Sequence, residues 1–143
     1  MSASPDRASH ESIVEIRTEA GPAMIPTIRA VAADLAGRAD FDLDAISDLR
    51  MAVDETCATL VSIAAPKSTL TCRFTVVPDM IEVEAAVTMA SGQGTDAVAT
   101  DTFGWRVLQT LADNVGVLEL PGTDSAATQV GIRLVKRAVT DQR

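Results

Sequence analysis

Residues 68–89, STLTCRFTVVPDMIEVEAAVTM, constrain the fold of this chain more than any other stretch. Leu70, Cys72, Phe74 and Val76 alternate with polar or smaller neighbours, and Pro78 and Asp79 then turn the chain. Ile81, Val83 and Ala85 follow, alternating with Glu82 and Glu84. A period of two puts the apolar set on one face and the carboxylates on the other, so the segment predicts a hairpin with one wet face. Two strands alone are not stable in water, and the dry face must be covered. The rest of the chain therefore has to supply more strands and a second layer.

It does so in order. SIVEIRT (12–18) is β-branched and partly alternating, a first strand. In GPAMIPTIRAVAADLAGRAD (21–40) the prolines fit only an opening turn, and Ile28, Val31, Ala32 and Leu35 recur at helical spacing, predicting a helix from about Met24 to Gly37. FDLDAISD opens a second helix, capped by Asp42 or Asp44 and running to about Ala64, before Pro66. ASGQGTDAVATD (90–101) has no usable period and reads as a loop. TFGWRVLQTLADNV (102–115) regains helical spacing through Phe103, Val107, Leu108 and Leu111. GVLEL, a PGTDS turn and ATQVGIRLVKRAV complete a second hairpin. Without internal repeats, this order predicts an α/β two-layer sandwich: a mostly antiparallel mixed sheet covered on one face by about three helices. Its length of 143 residues suits one core. We expect a single domain over 11–139, with tails at 1–10 and 140–143.

Composition narrows the function classes. With 47% hydrophobic but only 3% aromatic residues, the core is built from Ala, Val, Leu, Ile and Met. A formal net charge of −8 repels phosphate backbones and anionic lipid, which argues against direct nucleic-acid or membrane binding and favours a basic protein partner. The first residues lack an apolar leader core and no apolar run approaches the roughly 20 residues of a bilayer span, so a cytoplasmic location is expected. His10, the only histidine, lies at the edge of the tail, which leaves histidine catalysis without a residue. Cys57 and Cys72 sit in apolar segments without C-x-x-C spacing and read as reduced, buried thiols.

At about 100° per residue, Ile46, Val53, Cys57, Leu60 and Ala64 share one arc of the long helix, while Asp48, Ala52, Glu55, Thr59 and Ser62 line another. Arg50 falls beside the apolar arc, where its stem can pack. Glu55 and Thr59 thus share a face made of small residues around one carboxylate. Periodicity alone leaves two readings open, a solvated face or a wall against which a ligand lies.

FDLDAISDLRMAVDETCATLV (41–61), preceded by AMIPTIRAVAADLAG (23–37), resembles the RsbW-like anti-sigma factors, nearest to their actinobacterial, UsfX-type branch. These belong to the serine-kinase ATPases with the histidine-kinase-like ATP-binding fold, and the likeness covers about residues 12–137. The resemblance makes Glu55 the glutamate that orients the attacking group in phosphoryl transfer. Thr59 takes the position where the family has a magnesium-holding asparagine. In place of the family's D-x-G-x-G motif the chain reads ASGQG, keeping Gly92 and Gly94 without the acid; Asp96 and Asp101 are the displaced candidates for it. The phosphate-cradling box reduces to DTFGWRV with Gly104, beside a Trp105 better suited to core or interface. The implied cofactors are ATP and Mg, bound through Thr59, Gly92, Gly94 and Gly104 at a degenerate site. Arg29 aligns with a family position that contacts protein partners; the plainer alternative is an ordinary exposed helix arginine.

The resemblance implies a homodimeric anti-sigma factor that sequesters an alternative sigma factor of the stress-response or sporulation type, countered by an anti-anti-sigma protein. The acidic surface suits the basic DNA-reading surface of such a sigma factor. The enzymatic alternative is an active Mg-ATP-dependent serine/threonine-protein kinase that phosphorylates that antagonist, with Glu55 as its base. The remaining class is a scaffold domain with an unrelated partner.

Overall fold

A computed structural model describes residues 11–89, 97–121 and 128–138. Five strands, β1 (Ser12–Glu19), β2 (Thr69–Val77), β3 (Met80–Thr88), β4 (Asn114–Pro121) and β5 (Thr128–Arg137), form one sheet in the order β1-β2-β3-β5-β4. All four described ladders are antiparallel. Three helices, α1 (Ile25–Arg38), α2 (Leu43–Ile63) and α3 (Phe103–Leu111), give the expected α/β sandwich its second layer. Both expected tails, Gly92, Gly94 and Asp96, and most of the turn between β4 and β5 lie outside the described residues.

The hairpin expected at 68–89 forms with Pro78 and Asp79 as its turn, and every residue assigned to its dry face except the half-buried Val76 is fully or almost fully buried. α2 supplies most of the cover, lying across β3 and β5 with Leu49, Val53, Cys57 and Leu60 wholly out of solvent. Asp42 caps it, its carboxylate accepting from the Ala45 amide at 2.8 Å. The buried stripe is rotated from the arc drawn from sequence: Ala45, Ala52 and Thr56 belong to it, whereas Ile46 lies at its margin. Small side chains let the helix settle close to the sheet, which is why Ala52 is core rather than part of a polar stripe. Asp48 is not a free surface acid either. The Lys136 ammonium, on a residue only 5% exposed, lies 3.3 Å from its Oδ2 and donates to the Leu111 carbonyl at 2.9 Å. A buried ammonium needs such partners, and here it ties β5 to α2 and to the last turn of α3.

α1 begins at Ile25, after a 3-10 turn over Pro22–Met24, and buries Ile28, Ala32 and Ala36. It ends in a Schellman pattern: the Phe41 amide donates to Ala36 O at 3.0 Å and the Asp40 amide to Gly37 O at 3.2 Å. Asp40 therefore takes a φ of 64°, the left-handed region usually given to glycine. α3 stops at Leu111, earlier than its sequence period suggests, because the chain turns extended at Ala112 and the Asp113 amide already donates to Val135 O at 2.8 Å. Phe103, counted from sequence in the apolar stripe of α3, is instead 81% exposed, and Trp105 is the first-turn side chain that is buried. Arg50 is exposed, and Trp105 is buried in the core.

Cys57 on α2 and Cys72 on β2 are both free and buried. A hydrogen bond with the Cys57 thiol, reinforced by burial, pushes the Cys72 thiol well above its ordinary range. The folded state then keeps a proton that the unfolded chain loses above about pH 8.5, so stability is complete below that pH and falls by about 1.4 kcal/mol per unit above it. The chain has no tyrosine to mask this slope. Urea midpoints measured between pH 7 and 10 are expected to show it, and Cys72→Val to flatten it. Replacing the left-handed residue, Asp40→Gly is expected to raise stability by about 0.5–1 kcal/mol in the same assay.

Candidate functional site

Glu55 lies on the edge of α2 that faces neither the sheet nor open solvent, half-buried, with Thr59 one turn further on. The Thr59 hydroxyl donates to Glu55 Oε2 at 3.3 Å. The start of α3 approaches this carboxylate from the other side. Thr102 caps α3, its Oγ1 accepting from the Trp105 amide at 3.1 Å, while buried Trp105 anchors the turn. Between them Gly104 lies so close to Glu55 that a Cβ built on it would collide with Oε2 and Cδ of that side chain. Close approach to the carboxylate is what requires glycine here. The positive end of the α3 dipole then faces a negative charge, a favourable arrangement.

Two hollows share this carboxylate. The smaller, about 380 Å³, is lined by Glu55, Thr59, Ser62, Ala97, Thr102 and Gly104. The larger, about 500 Å³, opens on the other side of Glu55 over Pro22, Ile25, Pro26, Met51 and the pair Arg29–Asp54. The Arg29 guanidinium donates to Asp54 Oδ2 at 2.8 Å, with both side chains about one-third exposed. Asp54 Oδ1 is buried and accepts no hydrogen bond among the described residues.

Of the residues singled out from sequence, the fold brings Glu55, Thr59 and Gly104 together and sets Arg29 in the adjoining hollow. Gly92 and Gly94 lie outside the described residues, and Asp101 is exposed and lines neither hollow. Sequence reasoning passed over Asp54, whose partner lies 25 residues away on another helix. Thr102 was readable, because a threonine before an apolar helical run is an N-cap signal.

The described donors do not by themselves fit a magnesium–nucleotide. Among the described residues, the smaller hollow holds one carboxylate, the hydroxyls of Thr59, Ser62 and Thr102, of which that of Thr59 already donates to Glu55, and no basic side chain. Among the described residues, no group of three or more His, Cys, Asp or Glu stands ready for a metal. A lone acid repels phosphate unless a cation neutralises it, and magnesium normally takes one or two carboxylates plus phosphate oxygens and water.

No family model matches the chain. Curated relatives do: the proteins named "Anti-sigma-F factor RsbW" from Mycobacterium tuberculosis strains CDC 1551 / Oshkosh and ATCC 25618 / H37Rv are each 35% identical to it over 133 residues. That span covers 91% of this chain and 76% of each relative, too much of the chain to leave out α2 or either hollow. With its sheet order, its long covering helix and this likeness taken together, the chain belongs to the RsbW family of anti-sigma factors.

Proposed function

We propose that the chain acts in the cytoplasm as a homodimer that sequesters an alternative sigma factor of the stress-response or sporulation type. An anti-anti-sigma protein competes for it, and the nucleotide site is degenerate. The observation that carries the reading is the larger hollow. Its floor is apolar, Met51 on its rim is 48% exposed, and a half-buried ion pair, Arg29–Asp54, stands in it. An apolar patch with one oriented charge pair is the make-up of a protein contact, in which the arginine supplies direction and the apolar area supplies most of the affinity. The net charge of −8 supports a basic partner such as the DNA-reading surface of a sigma factor.

The degenerate nucleotide site is supported by the donor set at Glu55. Phosphoryl transfer depends on positioning and on cations that neutralise the phosphates, so a hollow with one acid and no basic side chain among its described residues costs orders of magnitude in rate. The kinase alternative would use the same carboxylate as its base.

Two measurements test these statements. In a binding assay with the sigma factor, Arg29→Glu is expected to weaken the complex at least tenfold with an unchanged circular dichroism spectrum, and raising salt should slow association. Unchanged affinity would remove Arg29 from the interface, and an inert wild-type chain would favour a scaffold role. In calorimetric titrations, ATP or ADP with magnesium is expected to bind no tighter than about 1 mM, roughly 4 kcal/mol. Micromolar, magnesium-dependent binding, with phosphoserine appearing on the antagonist and lost in Glu55→Ala, would replace the degenerate site with an active kinase.

A further inference from the structure

The acids of α2 that face the rest of the chain have bases there, with one exception. Asp48 has the Lys136 ammonium at 3.3 Å and Asp54 the Arg29 guanidinium at 2.8 Å. Glu55 has none. Among the described residues no base lies within ion-pairing distance of it, and its hydrogen bond comes from the Thr59 hydroxyl at 3.3 Å, longer than the roughly 3.0 Å of a strong O–H···O bond. The first turn of α3 adds only a fraction of a positive charge. A half-buried carboxylate kept this way gains a charge-assisted hydrogen bond from any base that reaches it.

The larger hollow gives such a base a path. Its described lining carries Arg29, Asp54 and Glu55, one base against two acids, so the hollow is negative. Arg29 and Asp54 satisfy each other and Asp54 Oδ1 is buried, which leaves Glu55 as the acceptor for an incoming group. Met51 lies one turn before Glu55 on α2, which sets the two side chains about 6 Å apart on one rim. Met51 is 48% exposed, and Ile25, Pro26 and Val107 extend the apolar floor of this space of about 500 Å³. An alkyl stem packs on such a floor while its charged head goes to the acid. Thr59 and the first turn of α3 hold the other side of the carboxylate, so the approach is from the larger hollow.

We propose that a lysine or arginine of the protein partner enters the larger hollow and pairs with Glu55, its stem lying on Met51, Ile25 and Val107. Glu55 is then a recognition residue for a base. The inference rests on the anti-sigma reading and deepens it by stating the partner's chemistry at this point. Because Met51 and Glu55 are one helical turn apart, the matching segment of the partner carries an apolar residue and a base at the same spacing, one turn apart if it is a helix. The apolar residue covers Met51 and shuts water from the ion pair, and removal of water strengthens the pair. Arg29 keeps a separate part in the contact. It is held by one nitrogen, and its remaining N–H groups are free of hydrogen bonds among the described residues, available to oxygens of the same partner.

Affinity of the full chain for the sigma factor, measured without nucleotide over a range of salt, provides the test. Glu55→Gln keeps the shape of the side chain and an acceptor for Thr59, so its circular dichroism should match the wild type. It is expected to weaken the complex at least tenfold and to flatten the salt dependence, since one ion pair is lost. Asp44→Asn removes the same charge from an exposed position in the first turn of α2, outside the hollow, and is expected to change affinity less than twofold. Met51→Lys sets a base of the chain's own one turn from Glu55, at an exposed rim, and is expected to weaken the complex at least tenfold. Glu55→Gln binding within twofold of the wild type, or Asp44→Asn losing as much as Glu55→Gln, overturns the inference and leaves the anti-sigma reading standing. Should Glu55→Gln fail to fold, unchanged affinity in Met51→Lys overturns it. A wild-type chain that binds no sigma factor overturns the anti-sigma reading itself and this inference with it.

Discussion

Leu49, Val53, Cys57 and Leu60 have no solvent exposure, and this stripe fixes the rotation of α2 above β3 and β5. Full burial of one such side chain is worth roughly 1.5–3 kcal/mol, so the four together hold the helix against any roll that would lift them from the sheet. Every polar group on α2 takes its direction from that rotation. Asp48 is turned toward β5 and the buried Lys136, Asp54 toward α1 and Arg29, and Glu55 toward the first turn of α3. The hollows beside Glu55 are therefore set by the apolar side of the helix. A cavity left at Val53 or Cys57 would disturb them as surely as a change at Glu55.

Three of the four acids of α2 serve three purposes that net charge alone does not distinguish. Asp48 neutralises an ammonium that would otherwise be costly to bury, Asp54 holds a guanidinium at the edge of an apolar patch, and Glu55 meets only a hydroxyl and a helix terminus. Position decides the value of each. A paired, half-covered charge keeps its geometry and can give direction to a contact, whereas a carboxylate in a recess without a basic neighbour repels anions.

Much of the fold was legible because the sheet needs only local information. The alternation of Leu70, Cys72 and Phe74 against Ile81, Val83 and Ala85 names the dry face, and Asp42 marks the start of α2 by its capping chemistry. What escaped depends on distant residues. Asp48 reads as surface until Lys136, 88 residues further on, meets it, and Ala52 until the helix is laid on the sheet. Phe103 fits a helical period but is left exposed, while Trp105 from the same turn is buried. At the site, Glu55 and Thr59 share a face by spacing alone, yet the reason for glycine at 104 is visible only once α3 is docked against that carboxylate. Asp54 was hidden for the same reason, since its partner lies on another helix.

The chain enters the sheet at Ser12 and leaves it at Arg137, and these two points lie at the same end. Ser12 pairs with Val76, Val76 with Ile81, and Ile81 with Lys136, three strand spacings or about 15 Å. The opposite end, where Met89 bridges to Ala64 beyond the last turn of α2, is about 25 Å away along β3. A fluorophore or affinity handle attached ahead of Ser12 or beyond Arg137 is therefore held at a distance from the recess beside Thr59 and Ser62. A bridge of about six residues would span the gap between the two points, so the chain can be permuted to begin at the hairpin turn between β4 and β5 while keeping every ladder of the sheet.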